Sequence, residues 1–183
     1  MKREDANSTI AALAGRRPDA LDTTTPRFPL AQVPAVRERL RRALAEVTTL
    51  VCAAACGADL LALEVAANLG IDAHVVLPFA PDVFRRLSVT DRPGNWGPLF
   101  DQLLEQAQDR QRLHLLSLNP DDPHAFEATN RAIVMLVRQL AGAQPTIGIS
   151  VWEGQSRGPR DATAHFRALC HQDGFQLVEI STN

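Results

Sequence analysis

Short apolar runs alternate along this chain with longer segments whose apolar side chains recur every three or four residues. The first run, Ile10-Ala11-Ala12-Leu13-Ala14 within residues 8–14, closes on Gly15 and has the length of a buried strand. Val33, Val36, Leu40, Leu44 and Val47 then form one stripe at helical spacing. Read onward in the same way, the pattern predicts strands over 49–53, 71–77, 113–118, 146–152 and 175–180. It predicts helices over 57–69, 81–89, 97–109, 125–140 and 160–173. Gly70 and Gly174 stand where two of these helices should stop. The segment 57–69 is apolar almost all round, with Asp59, Glu64 and Asn68 as the exceptions, so burial on more than one side is expected. Residues 16–34 read as a long loop, and 1–7 as a frayed, flexible polar lead.

Alternating strands and helices predict the α/β class: a three-layer fold with a mostly parallel sheet of about six strands, covered by helices on both faces, in a single domain over 1–183. Ligands of such folds bind beyond the C-terminal strand ends, where the winding reverses. Those ends fall at Gly15, 53–57, 78–81, 117–119 and 153–163, all rich in small, polar or turn-forming residues. The most informative is Val51-Cys52-Ala53-Ala54-Ala55-Cys56-Gly57-Ala58-Asp59-Leu60-Leu61-Ala62, where a strand meets a small-residue turn and opens a helix. Amide groups at a helix start are unpaired and carry partial positive charge. With Gly57 granting close approach, the junction suits a phosphate-bearing anion. A second junction of this kind leads from Gly158 to Thr163. The sequence contains neither Gly-x-Gly-x-x-Gly nor a Walker A lysine motif.

Composition narrows the classes of function. The chain has 183 residues, 45% apolar and 22% charged, with net charge -2. A near-neutral balance, 5% aromatic content and no tyrosine argue against nucleic acid as a partner. No apolar run reaches bilayer length, and no apolar segment follows the charged start Met1-Lys2-Arg3-Glu4-Asp5, so a cytoplasmic protein without membrane contact is expected. Three irregularly spaced cysteines suggest reduced thiols rather than disulfides or a zinc site, so neither a metal nor a required cofactor is expected. Arg37, Arg39, Arg41 and Arg42 sit mostly off the helical stripe and read as a solvated face with Glu38 and Glu46.

Five segments, in order, carry a family resemblance: Ala14-Gly15-Arg16-Arg17-Pro18, Cys56 to Ala62, Val76-Leu77-Pro78-Phe79, Glu127-Ala128-Thr129-Asn130-Arg131-Ala132-Ile133, and Trp152-Glu153-Gly154 leading into Gly158-Pro159-Arg160-Asp161-Ala162-Thr163-Ala164. From about Thr9 to the C-terminus the sequence resembles the SLOG superfamily (SMF/DprA–LOG). Relatives there include Lonely-Guy cytokinin-activating phosphoribohydrolases, molybdenum-cofactor carrier proteins and DNA-processing protein A. The resemblance implies a Rossmann-like fold and a nucleotide or nucleotide-derived ligand. Two positions depart from the pattern. Arg16 replaces the histidine of Gly-His-Arg-Pro, and the last helix opens with Asp161-Ala162-Thr163 instead of Gly-Gly-Thr, bringing a carboxylate to an anion-binding end. The Pro-Gly-Gly-x-Gly-Thr-x-x-Glu signature of the Lonely-Guy hydrolases is missing, and Phe166 stands where its glutamate falls.

The candidate ligand-binding residues are Gly15, Arg16, Arg17, Cys56, Gly57, Asp59, Arg85, Asn130, Gly158 and Thr163. Arg16 and Arg17 either fork onto phosphate oxygens or pair with Asp19 or Asp22. Asp59 either complements its helix dipole or accepts from a ribose hydroxyl. Thr163 donates to phosphate or caps its helix, and Asn130 touches ligand or holds a neighbouring loop. Arg85 or Arg86 reaches the crevice. Cys56 near a helix start has either a lowered thiol pKa or a packing role. Trp152 stacks on a base or is buried. Glu153 is the candidate catalytic acid, or else a surface carboxylate. The leading expectation is a module that senses a nucleotide-like small molecule; the alternative is a nucleoside-monophosphate phosphoribohydrolase or related N-glycosidase. A homodimer and a separate effector protein both stay open as partners.

Overall fold

The computed structural model describes residues 8–183; the expected polar lead, 1–7, lies outside the described residues. Six strands run in chain order as β1 (Thr9–Gly15), β2 (Val47–Cys52), β3 (Asp72–Leu77), β4 (Leu113–Leu115), β5 (Thr146–Trp152) and β6 (Gln176–Ser181). The helices are α1 (Val33–Ala43), α2 (Ala58–Leu69), α3 (Pro81–Ser88), α4 (Gly97–Asp109), α5 (Ala125–Ala141) and α6 (Ala162–Gln172). All strands pair in parallel in the order β4-β3-β2-β1-β5-β6. The expected three-layer α/β fold with a six-stranded sheet is the fold observed.

Strand side chains alternate between two apolar clusters. Ala11 and Leu13 of β1, Leu50 and Cys52 of β2, and Val75 and Leu77 of β3 pack with α1 to α4. Ile10, Ala12, Val51 and Val76 point the other way, onto α5, α6 and Phe175. A parallel sheet buried on both faces needs such near-continuous apolar strands. The chain winds from β1 out to β4, crosses through α5, and returns to lay β5 against the free edge of β1. The winding therefore reverses between β1 and β5, and a crevice opens at their C-terminal ends.

Most boundaries shift by a residue or two, and three of the differences are informative. The stripe ending at Val47 spans two elements: α1 stops at Ala43, Leu44 caps it, and Val47 opens β2. Leu44 and Val47 are buried in the same core, so their spacing mimics a longer helix. β4 covers three residues; Leu116 and Leu118 still donate to the Leu77 and Pro78 carbonyls, but Ser117 between them takes a left-handed φ of 52° and breaks the regular ladder. α6 begins at Ala162, with Asp161 as its N-cap. Among the described residues no helix is long and apolar enough to cross a membrane.

Candidate functional site

A cavity of about 400 Å³ opens over the C-terminal ends of β1, β2 and β5. Gly15, Arg16 and Arg17 line it from β1, Ala53, Ala55 and Asp59 from the β2–α2 junction, and Phe84 and Ser88 from α3. Phe126 and Asn130 of α5 and Arg157, Arg160 and Thr163 around the start of α6 complete the wall. Six candidate residues thus meet in one cavity: Gly15, Arg16, Arg17, Asp59, Asn130 and Thr163.

Two glycines set this geometry. A Cβ on Gly15 would lie 2.5 Å from the Ala58 Cβ and 2.7 Å from Val151, so glycine lets α2 abut the switch point. Gly57, the α2 N-cap, has a φ of 90°, and a Cβ there would meet Pro18 at 2.7 Å and the Arg16 carbonyl at 2.8 Å. The close packing brings the Ala58 N–H to donate to the Arg16 carbonyl. Gly57 serves backbone packing and is not among the residues that line the cavity.

Arg16 is 2% exposed and its charge is fully engaged. Its Nε donates to Glu153 at 2.7 Å, and Nη1 and Nη2 donate to Asp161 at 2.6 and 2.8 Å. Nη2 also donates to Glu153 and to the Gln155 carbonyl. Neither Asp19 nor Asp22 is its partner. Asp19 instead accepts from the backbone N–H groups of Arg27 and Phe28, pinning the ends of the loop that brings Thr23 and Thr25 to the cavity.

Asp161 fills the start of α6. Its Oδ1 accepts from the Thr163 and Ala164 N–H groups, and Oδ2 from the Arg157 N–H at 2.7 Å. Burial acts to raise this carboxyl, but hydrogen bonds from Arg16, Arg157 and Ala164 outweigh it and hold the group well below the usual aspartate range. Asp161, rather than Thr163, is thus the helix cap. The α2 start is similarly occupied: Cys56 N–H donates to Ser88, Leu60 N–H to Ala55, and Ala55 N–H to Asp59 Oδ2. The expected amide cradles after β2 and β5 are therefore largely spent within the protein.

Side chains carry the remaining positive charge. Arg17, Arg27, Arg92, Arg157 and Arg160 also line the cavity. Arg17 pairs with Asp91 at 2.7 Å, and Arg27 with Glu153. Arg157 Nε stands 3.7 Å from Asp161, and among the described residues Arg160 makes no ion pair. Asp59 lies beneath them, 6% exposed, with Oδ1 lacking any hydrogen-bond partner. Burial pushes its carboxyl up to about 7, against the opposing hydrogen bond from Ala55 and the charge of Arg17.

Other candidates lie elsewhere. Arg85 forks onto Asp101 at 2.8 and 3.0 Å, outside the cavity. Gly158 is part of the exposed loop and does not line the cavity, although its flanking Arg157 and Arg160 do. Cys56 is buried, and its thiol is pushed up to about 12 by that burial, the opposite of the lowered value a helix start suggests. Trp152 is buried, with the Arg16 guanidinium 5.7 Å and the Arg167 guanidinium 6.0 Å from its ring, and is not placed to stack on a ligand. Glu153 does not line the cavity and is held by Arg16 and Arg27. Burial would raise its carboxyl, but hydrogen bonds led by Arg16 keep it below the ordinary glutamate value, so it is no proton donor near neutral pH. Asn130 Nδ2 donates to the Ala162 carbonyl at 2.8 Å, and the residue lines the cavity. The Arg37 to Arg42 face is spent on Glu38, Glu64 and the carbonyls of Ser181 and Asn183.

Sequence reasoning passed over Arg27, Arg92, Arg157 and Arg160 as cavity residues. Arg157 and Arg160 were within reach, since they flank Gly158 in the segment after β5. Arg27 and Arg92 lie in irregular loops whose path no periodicity reports.

No protein-family model matches the chain, and no curated protein matches it. Among solved structures it is similar to the X-ray structure of DNA processing protein A (DprA) from Streptococcus pneumoniae, at 16% identity and a TM-score of 0.41, over 93% of this chain. The chain spans 58% of the length of that protein.

Proposed function

We propose that the crevice binds a nucleotide or nucleotide-derived small molecule bearing phosphate. One observation carries the reading: a cavity of about 400 Å³ at the switch point has arginines from three loops on its wall and a buried carboxylate oxygen without a partner. Arg17, Arg92, Arg157 and Arg160 supply charge for phosphate. Asp59 Oδ1 supplies an acceptor for a sugar hydroxyl, leaving the apolar surface of Phe84, Phe126 and Ile133 for a base. Calorimetry against AMP, ADP, ADP-ribose and cyclic nucleotides tests this, with binding that weakens as salt rises. Silence from folded protein across the panel removes the reading.

A second reading, hydrolysis of an N-glycosidic bond, is supported by the Asp59 carboxyl near 7, which suits an acid working at neutral pH. Chromatography of AMP incubated with the protein detects free base. Activity surviving in Asp59→Asn excludes Asp59 as the acid, and no base release excludes this chemistry on AMP.

A further inference from the structure

A carboxylate surrounded by donors at a helix start has the environment of a bound anion. Five donors converge on Asp161: two guanidinium nitrogens of Arg16 and the backbone N–H groups of Arg157, Thr163 and Ala164. The residue is 3% exposed, and α6 has 11 residues, long enough for its terminus to carry useful charge. The donors come from two distant parts of the chain: the turn after β1, and the β5–α6 loop with the first turn of α6. Asp161 thus takes the Thr163 and Ala164 N–H groups with its side chain and the His165 N–H with its carbonyl, leaving of the first turn only the Ala162 N–H.

We infer that Asp161 is an internal anion seated in the α6 amide nest and clamped by Arg16, closing that terminus to the ligand and leaving its phosphate to the Arg157 and Arg160 side chains. The closing of the nest stands on the hydrogen bonds alone; only the last clause rests on the crevice being a phosphate site. Arg16 is accordingly a positioning residue. It reaches both Glu153 and Asp161, and through Asp161 it fixes the backbone of the loop presenting the two arginines. The ligand class that follows is one whose anion is gripped by forked side chains, tolerant of ester geometry and sensitive to salt.

Chemical rescue tests the inference without any knowledge of the ligand. Asp161→Ala empties the nest and leaves Arg16 short of a partner. Its melting temperature in chloride buffer should fall by about 10 °C. Inorganic phosphate at about 50 mM and matched ionic strength should restore several degrees, by binding only the folded state. The wild type, whose nest is filled, should gain much less. An equal gain in both proteins overturns the inference. If Asp161→Ala does not fold in chloride, folding in phosphate supports the inference and failure in both buffers overturns it. A wild type that ignores every nucleotide would remove the proposed function and leave this result standing.

Discussion

Arg16 and Asp161 lie 145 residues apart and meet through two hydrogen bonds of 2.6 and 2.8 Å. Arg16, just after β1, supplies the fork, and Asp161, just before α6, supplies the carboxylate. Asp161 without Arg16 would lose its buried cation, whereas Arg16 without Asp161 would keep only Glu153.

Arg16→Met should therefore lose about 3–5 kcal/mol, because Asp161 and Glu153 stay buried without their shared cation. Urea titration measures the loss. Both carboxyls are held below their usual values in the fold, so their stabilisation is present above about pH 4 and fades as pH falls below it. In Arg16→Met that acid-side decline should shrink.

Asp59 gives the opposite sign. Its folded pKa, about 7, is above the unfolded aspartate value, so the carboxyl enters the fold neutral. Its contribution is full below about pH 4, is lost as pH rises to 7, and is level beyond. Asp59→Asn removes that loss and should be more stable than wild type at pH 8 by roughly 2–4 kcal/mol. Denaturation series at pH 5 and pH 8 check it; an unchanged difference between the two pH values contradicts the assignment.

Arg160 is exposed and makes no ion pair among the described residues, so Arg160→Ala should alter stability by less than about 0.5 kcal/mol. The same change should weaken nucleotide binding about tenfold, as the loss of one charge-assisted contact. Calorimetry and thermal melts on the one variant separate the two effects.

Gly57→Ala should destabilise the chain by about 2 kcal/mol or more, since its φ of 90° and the 2.7 Å approach to Pro18 exclude a Cβ. A melt gives the size. Retained wild-type stability would mean that the β1 loop can withdraw from α2.

The three buried thiols should react slowly with a thiol reagent at pH 7 and quickly in denaturant. Cys56 and Cys170, each pushed up to about 12 by burial, hold almost no thiolate.

The sheet was readable in the sequence because strands buried on both faces become continuous apolar runs, as in Ile10 to Ala14. The edge strand β4 was overextended because the bend at Ser117 depends on local backbone geometry that hydrophobicity does not report. Gly15, Arg17 and Asp59 could be placed at the crevice because topology alone puts strand ends there. The partners of Arg16 could not be read, because spacing along the chain says nothing about which carboxylate arrives from β5 and α6. Residue type alone makes Glu153 a candidate acid; its neighbours Arg16 and Arg27, which hold its carboxyl below the ordinary glutamate value, are visible only in the fold.

The central position of β1 has a consequence for synthesis. β1 pairs with β2 on one side and, from Ile10 opposite Thr146 onward, with β5 on the other. A ribosome must release nearly everything between these strands before the second ladder can form. Until then the nascent sheet carries an open, apolar edge able to recruit the same strand from a neighbouring chain. Its productive folding should therefore depend on chaperone shielding until the segment carrying β5 leaves the exit tunnel.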